Sequence, residues 1–296
     1  NGIKIFGHEH LHLRQEELQI LYKYIKERKE VSGTGSLTNI SINDDYANML
    51  INKFDKINKK VVVDCGNGTA SIIVKKVYSK IFNNVSYINS ESDGSFPVHN
   101  PDPNVSKNLK WLIDEVKLRK FDLGIAFDGD ADRCLAVDEN GNEIDGDKIM
   151  AIISNYLRNK GKLAKDTLVA TVMSNLGLHK YARDNGLELA QTQVGDRYVL
   201  EEMLKEGYNL GGEQSGHVIL LDYNPTGDGI LTSLMLIQAI LEANKTASQM
   251  AEIIKLYPQV LVNAKVNADK KYDYNKDTEI QESIEKLEKE FAGNGR

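Results

Sequence analysis

The chain has 296 residues, of which 41% are hydrophobic and 27% charged, and its formal net charge is −6. This composition is typical of a folded protein long enough for more than one domain. The mild acidity and the lack of a basic stripe argue against nucleic acid as a partner. The most apolar stretch, 230–241, is shorter than the about 20 residues that span a bilayer. With no recognisable secretory signal, we expect a cytoplasmic protein with no membrane partner.

Apolar periodicity and turn residues predict alternating helices and strands. The pattern predicts a short strand at 3–6, a helix at 14–28 and a glycine- and serine-rich linker at 32–36. Further helices are predicted at 44–54, 69–82, 109–118, 147–159, 177–185, 198–205, 229–243, 247–254 and 279–291. Strands are predicted at 60–64, 85–88, 123–127, 134–137, 168–172, 188–192 and 218–221, with one more ending before Gly211. Such alternation is typical of the α/β class, and we expect consecutive α/β/α domains with largely parallel mixed sheets.

Some side chains support more specific predictions. Asp44 or Asp45 is expected to cap the helix that begins there, and Asp228 is expected to cap the helix at 229–243. Cys65 and Cys134 both lie in strand-like runs, which favours buried free thiols over a disulfide. The predicted core residues of the helix at 109–118 are Trp111, Leu112 and Val116.

An acidic loop follows the predicted strand at 123–127. Its sequence, residues 128–133, is Asp-Gly-Asp-Ala-Asp-Arg, and a second apolar run follows it. Carboxylates at alternate positions repel one another unless a cation lies between them, and Gly129 lets the backbone curl so that the oxygens converge. An all-oxygen ligand set suits a small hard cation, and Mg²⁺ is the preferred candidate. Because Mg²⁺ usually leaves positions for water or phosphate oxygens, the loop indicates phosphate chemistry.

Three other interpretations of this loop stay open. It can be a solvated acidic turn that holds no ion. With Glu139 its carboxylates also match positions 1, 3, 5 and 12 of an EF-hand, although Arg133 occupies the place of the EF-hand glycine and the flanks look like strands. A phosphatase of the haloacid-dehalogenase type also has two aspartates after an apolar strand, but Asp132 stands where that family has Thr or Val.

Residues 127–133, Phe-Asp-Gly-Asp-Ala-Asp-Arg, resemble the metal loop of the α-D-phosphohexomutases. Residues 211–217, Gly-Gly-Glu-Gln-Ser-Gly-His, resemble the sugar-recognition loop of the same family and follow in the family's order. Two more stretches, 194–198 (Val-Gly-Asp-Arg-Tyr) and 226–229 (Thr-Gly-Asp-Gly), resemble the branch that acts on amino sugars. The similarity extends over nearly the whole chain.

The resemblance implies a division of the chain into four parts. Residues 1–30 would be the tail of domain I, 40–145 domain II with the metal loop, 146–265 domain III with the sugar loop, and 266–296 the start of domain IV. The serine that carries phosphate in this family would lie upstream of residue 1, and the phosphate-binding loop of the last domain would follow near the C terminus. We therefore expect the 296-residue chain alone to have no mutase activity.

The resemblance also implies roles for individual residues. The implied site residues are Asp128, Asp130 and Asp132 for the metal, Glu213, Ser215, Asp196 and Arg197 for the substrate, and His217 and Arg133 for catalysis. The intrinsic pKa of His217 suits proton exchange near neutral pH, although a structural hydrogen bond is the alternative. Arg133 can meet phosphate oxygens with its planar guanidinium or form a salt bridge to a loop aspartate. Arg197 can equally be a surface charge.

The implied reaction interconverts glucosamine 6-phosphate and glucosamine 1-phosphate. Phosphate passes from a phosphoserine to the sugar, a bisphosphate reorients, and the other phosphate returns to serine, which would supply UDP-N-acetylglucosamine synthesis. The partner is then a hexosamine phosphate, and the resemblance also allows a homodimer. The alternatives are a phosphomannomutase or phosphoglucomutase, a non-catalytic metal-binding relative, and a simple Ca²⁺-binding module.

Overall fold

The computed structural model describes residues 5, 13, 15–28, 33–36, 38–267, 270, 273–292 and 294–295. Its helices are α1 (Gln15–Lys26), α2 (Asn43–Ile51), α3 (Ala70–Ile81), α4 (Lys110–Arg119), α5 (Gly146–Asn159), α6 (Leu176–Asp184), α7 (Asp196–Glu206), α8 (Gly229–Glu242), α9 (Ala247–Ala251) and α10 (Thr278–Phe291). Its strands are β1 (Ile57–Asp64), β2 (Phe82–Ile88), β3 (Leu123–Phe127), β4 (Cys134–Asp138), β5 (Glu143–Ile144), β6 (Thr167–Thr171), β7 (Glu188–Thr192), β8 (Leu210–Gly212) and β9 (Val218–Leu220). The predicted strand at 3–6 lies outside the described residues except for Ile5, which is in no strand.

Two mixed sheets organise these elements. The first has the order β2-β1-β3-β4-β5. In it β1 is parallel to β2 and β3, whereas β4 is antiparallel to both of its neighbours, β3 and β5. The second has the order β7-β6-β8-β9, with β6 parallel to β7 and β8 and with β9 antiparallel. The predicted fold class is confirmed. We call the chain from β1 to β4 the first unit and the chain from β6 to β9 the second unit.

Helices cover both faces of each sheet. In β1, Val61 and Val63 belong to a core shared with α2 and α3, whereas Val62 belongs to a separate core with Leu112 and Val116 of α4. This division follows from the alternation of side chains along a strand. In the second unit α7 packs against one face through Val199, and the opposite face joins the larger core.

Helix α8 ties the two units together. Almost its whole length is buried, including Leu231, Leu234 and Leu236, and it contacts β3 and β4 of the first sheet as well as β9 of the second. The prediction that the apolar run 230–241 is core is thereby confirmed. A buried hydrogen bond adds to this contact, because the Tyr78 hydroxyl of α3 lies 2.5 Å from Ser233 Oγ of α8.

Two local predictions were wrong. Trp111 is 43% exposed, whereas Leu112 and Val116 are fully buried. Residues four apart lie on one face of a helix, and Trp111 lies about 100° away from that face. No aspartate caps α2, because the residue before the helix is Ile42 and Asp44 and Asp45 lie within the first turn.

Three other predictions concern caps, thiols and membranes. Asp228 caps α8 as predicted, since its Oδ1 accepts a hydrogen bond from Leu231 N at 2.9 Å. Cys65 and Cys134 are buried free thiols, as predicted. Among the described helices, none combines the length and the apolar character that a membrane crossing requires.

Candidate active site

The acidic loop lies at the tip of the hairpin formed by β3 and β4. Its backbone turns sharply, with Ala131 in the left-handed region at φ 63°, and the Asp128 carboxylate accepts a hydrogen bond from Arg133 N at 3.1 Å. One carboxylate oxygen from each of Asp128, Asp130 and Asp132 lies within 4.8 Å of the others. The structure therefore brings together the three residues predicted to bind a metal.

Three carboxylates lie together in this loop beside the guanidinium of Arg133. Burial first, and then the nearby Asp132 carboxylate, raise the pKa of Asp128 to about 7, against the opposing hydrogen bond from Arg133 N–H. Arg133 Nε lies 3.8 Å from both Asp128 Oδ2 and Asp132 Oδ1, too far for a hydrogen bond. An all-oxygen donor set of three converging carboxylates fits a hard divalent cation.

Glu139 takes no part in this cluster. Its carboxylate accepts hydrogen bonds from the backbone N–H and the hydroxyl of Ser248 at the start of α9. The segments on either side of the acidic loop are strands. The EF-hand interpretation is therefore excluded.

The sugar loop, residues 213–217, lies at the tip of the hairpin formed by β8 and β9. It is closed by hydrogen bonds from Glu213 N to His217 O at 2.9 Å and from Gly216 N to Glu213 O at 3.0 Å. The Glu213 side chain accepts a hydrogen bond from Gly195 N at 3.0 Å, which joins the loop to the start of α7. Ser215 Oγ is buried and has no hydrogen-bond partner among the described residues.

The two loops meet edge to edge. Arg133 and His217 form an antiparallel β-bridge, and Cys134 N donates a hydrogen bond to Gly216 O at 3.1 Å. His217 is only 3% exposed. Its Nε2 lies 3.7 Å from Asp132 Oδ2 and 3.9 Å from Asp196 Oδ2, and neither ring nitrogen has a hydrogen-bond partner within the described part of the chain.

An open cleft of about 430 Å³ lies between the loops. It is lined by Asp128, Asp130, Asp132, Arg133, Val194, Gly195, Asp196, Glu213 and His217. Seven of the nine residues predicted for the site are thus in one cleft. Of the other two, Ser215 does not line the cleft and its Oγ is buried, and Arg197 places its Nε 2.6 Å from Glu201 on the next turn of α7.

Each loop rests on the first residue of a helix. Gly146 N of α5 donates to Gln214 O at 3.0 Å, and Gly229 N of α8 donates to Ala131 O at 3.0 Å. A Cβ atom at Gly146 would lie 2.2 Å from Glu213 O, and one at Gly229 would lie 2.6 Å from Arg133 O. We did not predict these glycines from the sequence. The signal is the Asp-Gly pair that opens both helices, at 145–146 and 228–229.

Gln214 lies in the sugar loop but does not line the cleft. Its backbone carbonyl accepts the hydrogen bond from Gly146 N and so holds the sugar loop on α5, while its side chain lies near Asp145. The Asp145 carboxylate accepts a hydrogen bond from Lys148 N at 3.0 Å and so caps α5.

Comparison with known families identifies both units. The family model described as phosphoglucomutase/phosphomannomutase, alpha/beta/alpha domain II, matches residues 43–141. The model for alpha/beta/alpha domain III of the same family matches residues 145–257.

Similar proteins agree with these matches. Phosphoglucosamine mutase from Caldicellulosiruptor saccharolyticus is 44% identical over 311 aligned positions, which cover 100% of this chain and 68% of that protein. Phosphoglucosamine mutase from Clostridium acetobutylicum is 51% identical over 238 positions, covering 80% of this chain and 52% of that protein. A crystal structure of a phosphoglucomutase/phosphomannomutase family protein from Burkholderia thailandensis has 26% identity and a TM-score of 0.74, covering 84% of this chain and 54% of that one.

Proposed function

Because the chain belongs to the phosphoglucomutase/phosphomannomutase family, we propose that it supplies the metal and sugar sites of an enzyme that interconverts glucosamine 6-phosphate and glucosamine 1-phosphate. One observation carries this proposal: the three loop aspartates, Glu213 and His217 face a single cleft. The relatives named phosphoglucosamine mutase, at 44% and 51% identity, support the amino sugar as substrate. The division into parts of domains I to IV stays a prediction.

We propose Mg²⁺ as the cation of the acidic loop, held by Asp128, Asp130 and Asp132. The raised pKa of Asp128, caused first by burial and then by Asp132, supports this proposal, because a bound cation would favour the charged form that these two causes disfavour. When bound, the ion would neutralise charge on phosphate oxygens.

The chain's own residues have distinct proposed roles. Glu213 accepts hydrogen bonds from sugar hydroxyls, because one of its oxygens is already fixed by Gly195 and the other can face the cleft. Arg133 meets the phosphate, since it lines the cleft and its side chain is 39% exposed there. His217 exchanges a proton with the reacting hydroxyl, because it lines the cleft and its Nε2 lies 3.7 Å from Asp132 Oδ2 and 3.9 Å from Asp196 Oδ2.

The remaining parts of the reaction are proposals from the family resemblance. The phosphate donor is a phosphoserine outside these 296 residues, and the bisphosphate formed from the sugar reorients before it returns a phosphate. Asp196 lies in the cleft and contributes to substrate choice. Ser215 and Arg197 would reach the sugar only after their side chains move from the positions described above.

Calorimetric titration of the 296-residue chain tests this proposal. With Mg²⁺ present we expect glucosamine 6-phosphate to bind more tightly than mannose 6-phosphate, and binding to disappear when Glu213 is replaced by Gln. Lys205→Gln, on the exposed side of α7, is a control for a change of one charge. No binding of any sugar phosphate would contradict the proposal.

A phosphomannomutase or phosphoglucomutase is the second candidate, because the matching family models carry those names. The same titration separates the two. Preference for mannose 6-phosphate or glucose 6-phosphate over the amino sugar would favour the second candidate and leave the metal site unchanged.

A further inference from the structure

The connection between β2 and α4 distinguishes the first unit from the second. It covers residues 89–105 before a short 3-10 helix, whereas the equivalent connection between β7 and α7 covers only residues 193–195. We call residues 89–105 the strap. It begins beside the carboxyl end of β1, crosses the acidic loop and ends at the sugar loop.

The strap is anchored on Asp64, the last residue of β1. This carboxylate is 1% exposed and accepts hydrogen bonds from Gly66 N at 2.8 Å and from Asn89 Nδ2 at 2.9 Å. His99 Nε2 lies 3.1 Å from its second oxygen, and His99 Nδ1 lies 2.8 Å from Asn100 O. Only a doubly protonated ring can donate to both oxygens. Two distant points of the strap are therefore fixed to one buried charge.

The middle of the strap covers the backbone of the acidic loop. A Cβ atom on Gly129 would lie 3.2 Å from Pro101 Cγ and 3.5 Å from Phe96 Cζ. Pro101 also packs on Gly66, because a Cβ atom added at Gly66 would lie 3.2 Å from the Cβ atom of Pro101. The strap thus limits how far the acidic loop can move on that side, because packed atoms in such contact cannot be displaced without loss of packing.

The end of the strap reaches the sugar loop. Asn104 Nδ2 donates a hydrogen bond to Ser215 O at 3.1 Å. Asp102 fixes Asn104, because its Oδ1 accepts hydrogen bonds from Asn104 N at 3.0 Å and Asn104 Nδ2 at 3.1 Å. Asn104 does not line the cleft, so any effect it has on a ligand must pass through the loop backbone.

We propose that the strap sets the separation of the acidic loop and the sugar loop, and that Asn104 is a positioning residue for the bound sugar. Ser215 lies between Glu213 and His217, so a shift of its carbonyl moves both side chains that face the cleft. This inference rests on the function proposed above and adds a residue that touches neither metal nor substrate.

The test uses Asn104→Asp in the 296-residue chain. The change keeps the shape of the side chain but turns a donor toward Ser215 O into an acceptor. Loss of one hydrogen bond is expected to weaken glucosamine 6-phosphate binding about five- to tenfold, while Mg²⁺ binding measured without sugar stays within about twofold. Asn104→Ala, which removes the donor without adding charge, should give the smaller loss of the two.

Asn185→Asp is the matched control. Asn185 Nδ2 also donates to a backbone carbonyl, Tyr181 O at 2.8 Å, at the far end of α6. The affinity of Asn185→Asp for glucosamine 6-phosphate should equal that of the wild type. Urea unfolding should show that all three variants are folded. If Asn104→Asp and Asn104→Ala then bind glucosamine 6-phosphate as tightly as Asn185→Asp does, the inference is overturned but the proposed function is not. Failure of the wild-type chain to bind any sugar phosphate would overturn both.

Discussion

The two units have the same strand order but give their hairpin loops opposite character. In the first unit the loop brings three carboxylates together, and burial raises the pKa of one of them, Asp128. In the second unit the loop is closed by backbone hydrogen bonds and presents one carboxylate and one histidine. Each loop rests on the helix that follows the other unit's hairpin, Gly146 of α5 or Gly229 of α8. The shared topology thus fixes where the loops meet, and a few side chains fix what each does.

The reciprocal support of the loops gives the largest expected effect. Gly146→Ala would place a Cβ 2.2 Å from Glu213 O, a backbone atom that cannot move without shifting the sugar loop. We expect the free energy of unfolding, measured with urea, to fall by about 3 kcal/mol. Gly229→Ala should lower the free energy of unfolding by a similar amount. Gly94→Ala is the control, because a Cβ there meets nothing within 4 Å, and equal stability of the Gly146 and Gly94 variants would contradict the reciprocal support.

The charge of the acidic loop gives the second prediction. Asp128→Asn should weaken Mg²⁺ binding on the order of 100-fold in calorimetry, since even groups that only support a metal ligand contribute 10–100-fold. The same change should stabilise the metal-free chain at pH 8 by about 1–3 kcal/mol, because a carboxyl that loses its proton only near pH 7 is charged there against its surroundings.

The sign of this effect follows from proton linkage. The folded state holds the Asp128 proton more tightly than the unfolded chain, so the metal-free wild type should lose stability as the pH rises from about 4 to about 7. Asp128→Asn should remove that loss. Asp130→Asn, at an exposed ligand, should weaken Mg²⁺ binding without the gain in stability. A metal-free wild type whose stability is flat over this range would contradict the account.

The strap, present in the first unit alone, gives a third prediction. Its His99–Asp64 contact raises the pKa of His99 above the usual 6.5, first through the hydrogen bond to Asp64. The contact therefore stabilises the fold fully below pH 6.5 and is lost as the pH rises through the folded-state pKa. His99→Gln should lower the free energy of unfolding by about 1–2 kcal/mol at pH 6 and by less at pH 9.

His179→Gln provides the comparison in the second unit. His179 lies on α6, in the second unit. The difference in free energy of unfolding between His179→Gln and the wild type should not become smaller from pH 6 to pH 9. Urea unfolding curves over a series of pH values measure both variants. A His99 effect that is independent of pH would show that the contact works through packing and not through charge.

The sequence predicted the elements better than their contacts. Alternation and turn residues located the strand at 123–127, and the alternate aspartates located the metal loop, because both signals are local. The sequence did not predict that Gly146 and Gly229 receive loops from the opposite unit, since that depends on how distant segments pack. It did not predict the strap's hydrogen bond from Asn104 for the same reason. Trp111 was wrongly predicted to be buried, because it lies about 100° around the helix from the face that carries Leu112 and Val116.

The smallest expected effect is that of replacing Arg197, which we compare with Arg133, the other arginine that the sequence suggested for the site. Arg133 lies in the cleft between Asp128 and Asp132, whereas Arg197 pairs with Glu201 at helical i,i+4 spacing on α7. Arg197→Ala should therefore lower the free energy of unfolding by only about 0.3–0.5 kcal/mol and leave glucosamine 6-phosphate affinity within about twofold. Arg133→Ala should weaken that affinity at least about tenfold, as expected for loss of a charged donor to phosphate. Calorimetry measures the glucosamine 6-phosphate affinity of both variants. A large loss of affinity for Arg197→Ala would mean that the Arg197 side chain leaves Glu201 when the sugar phosphate binds.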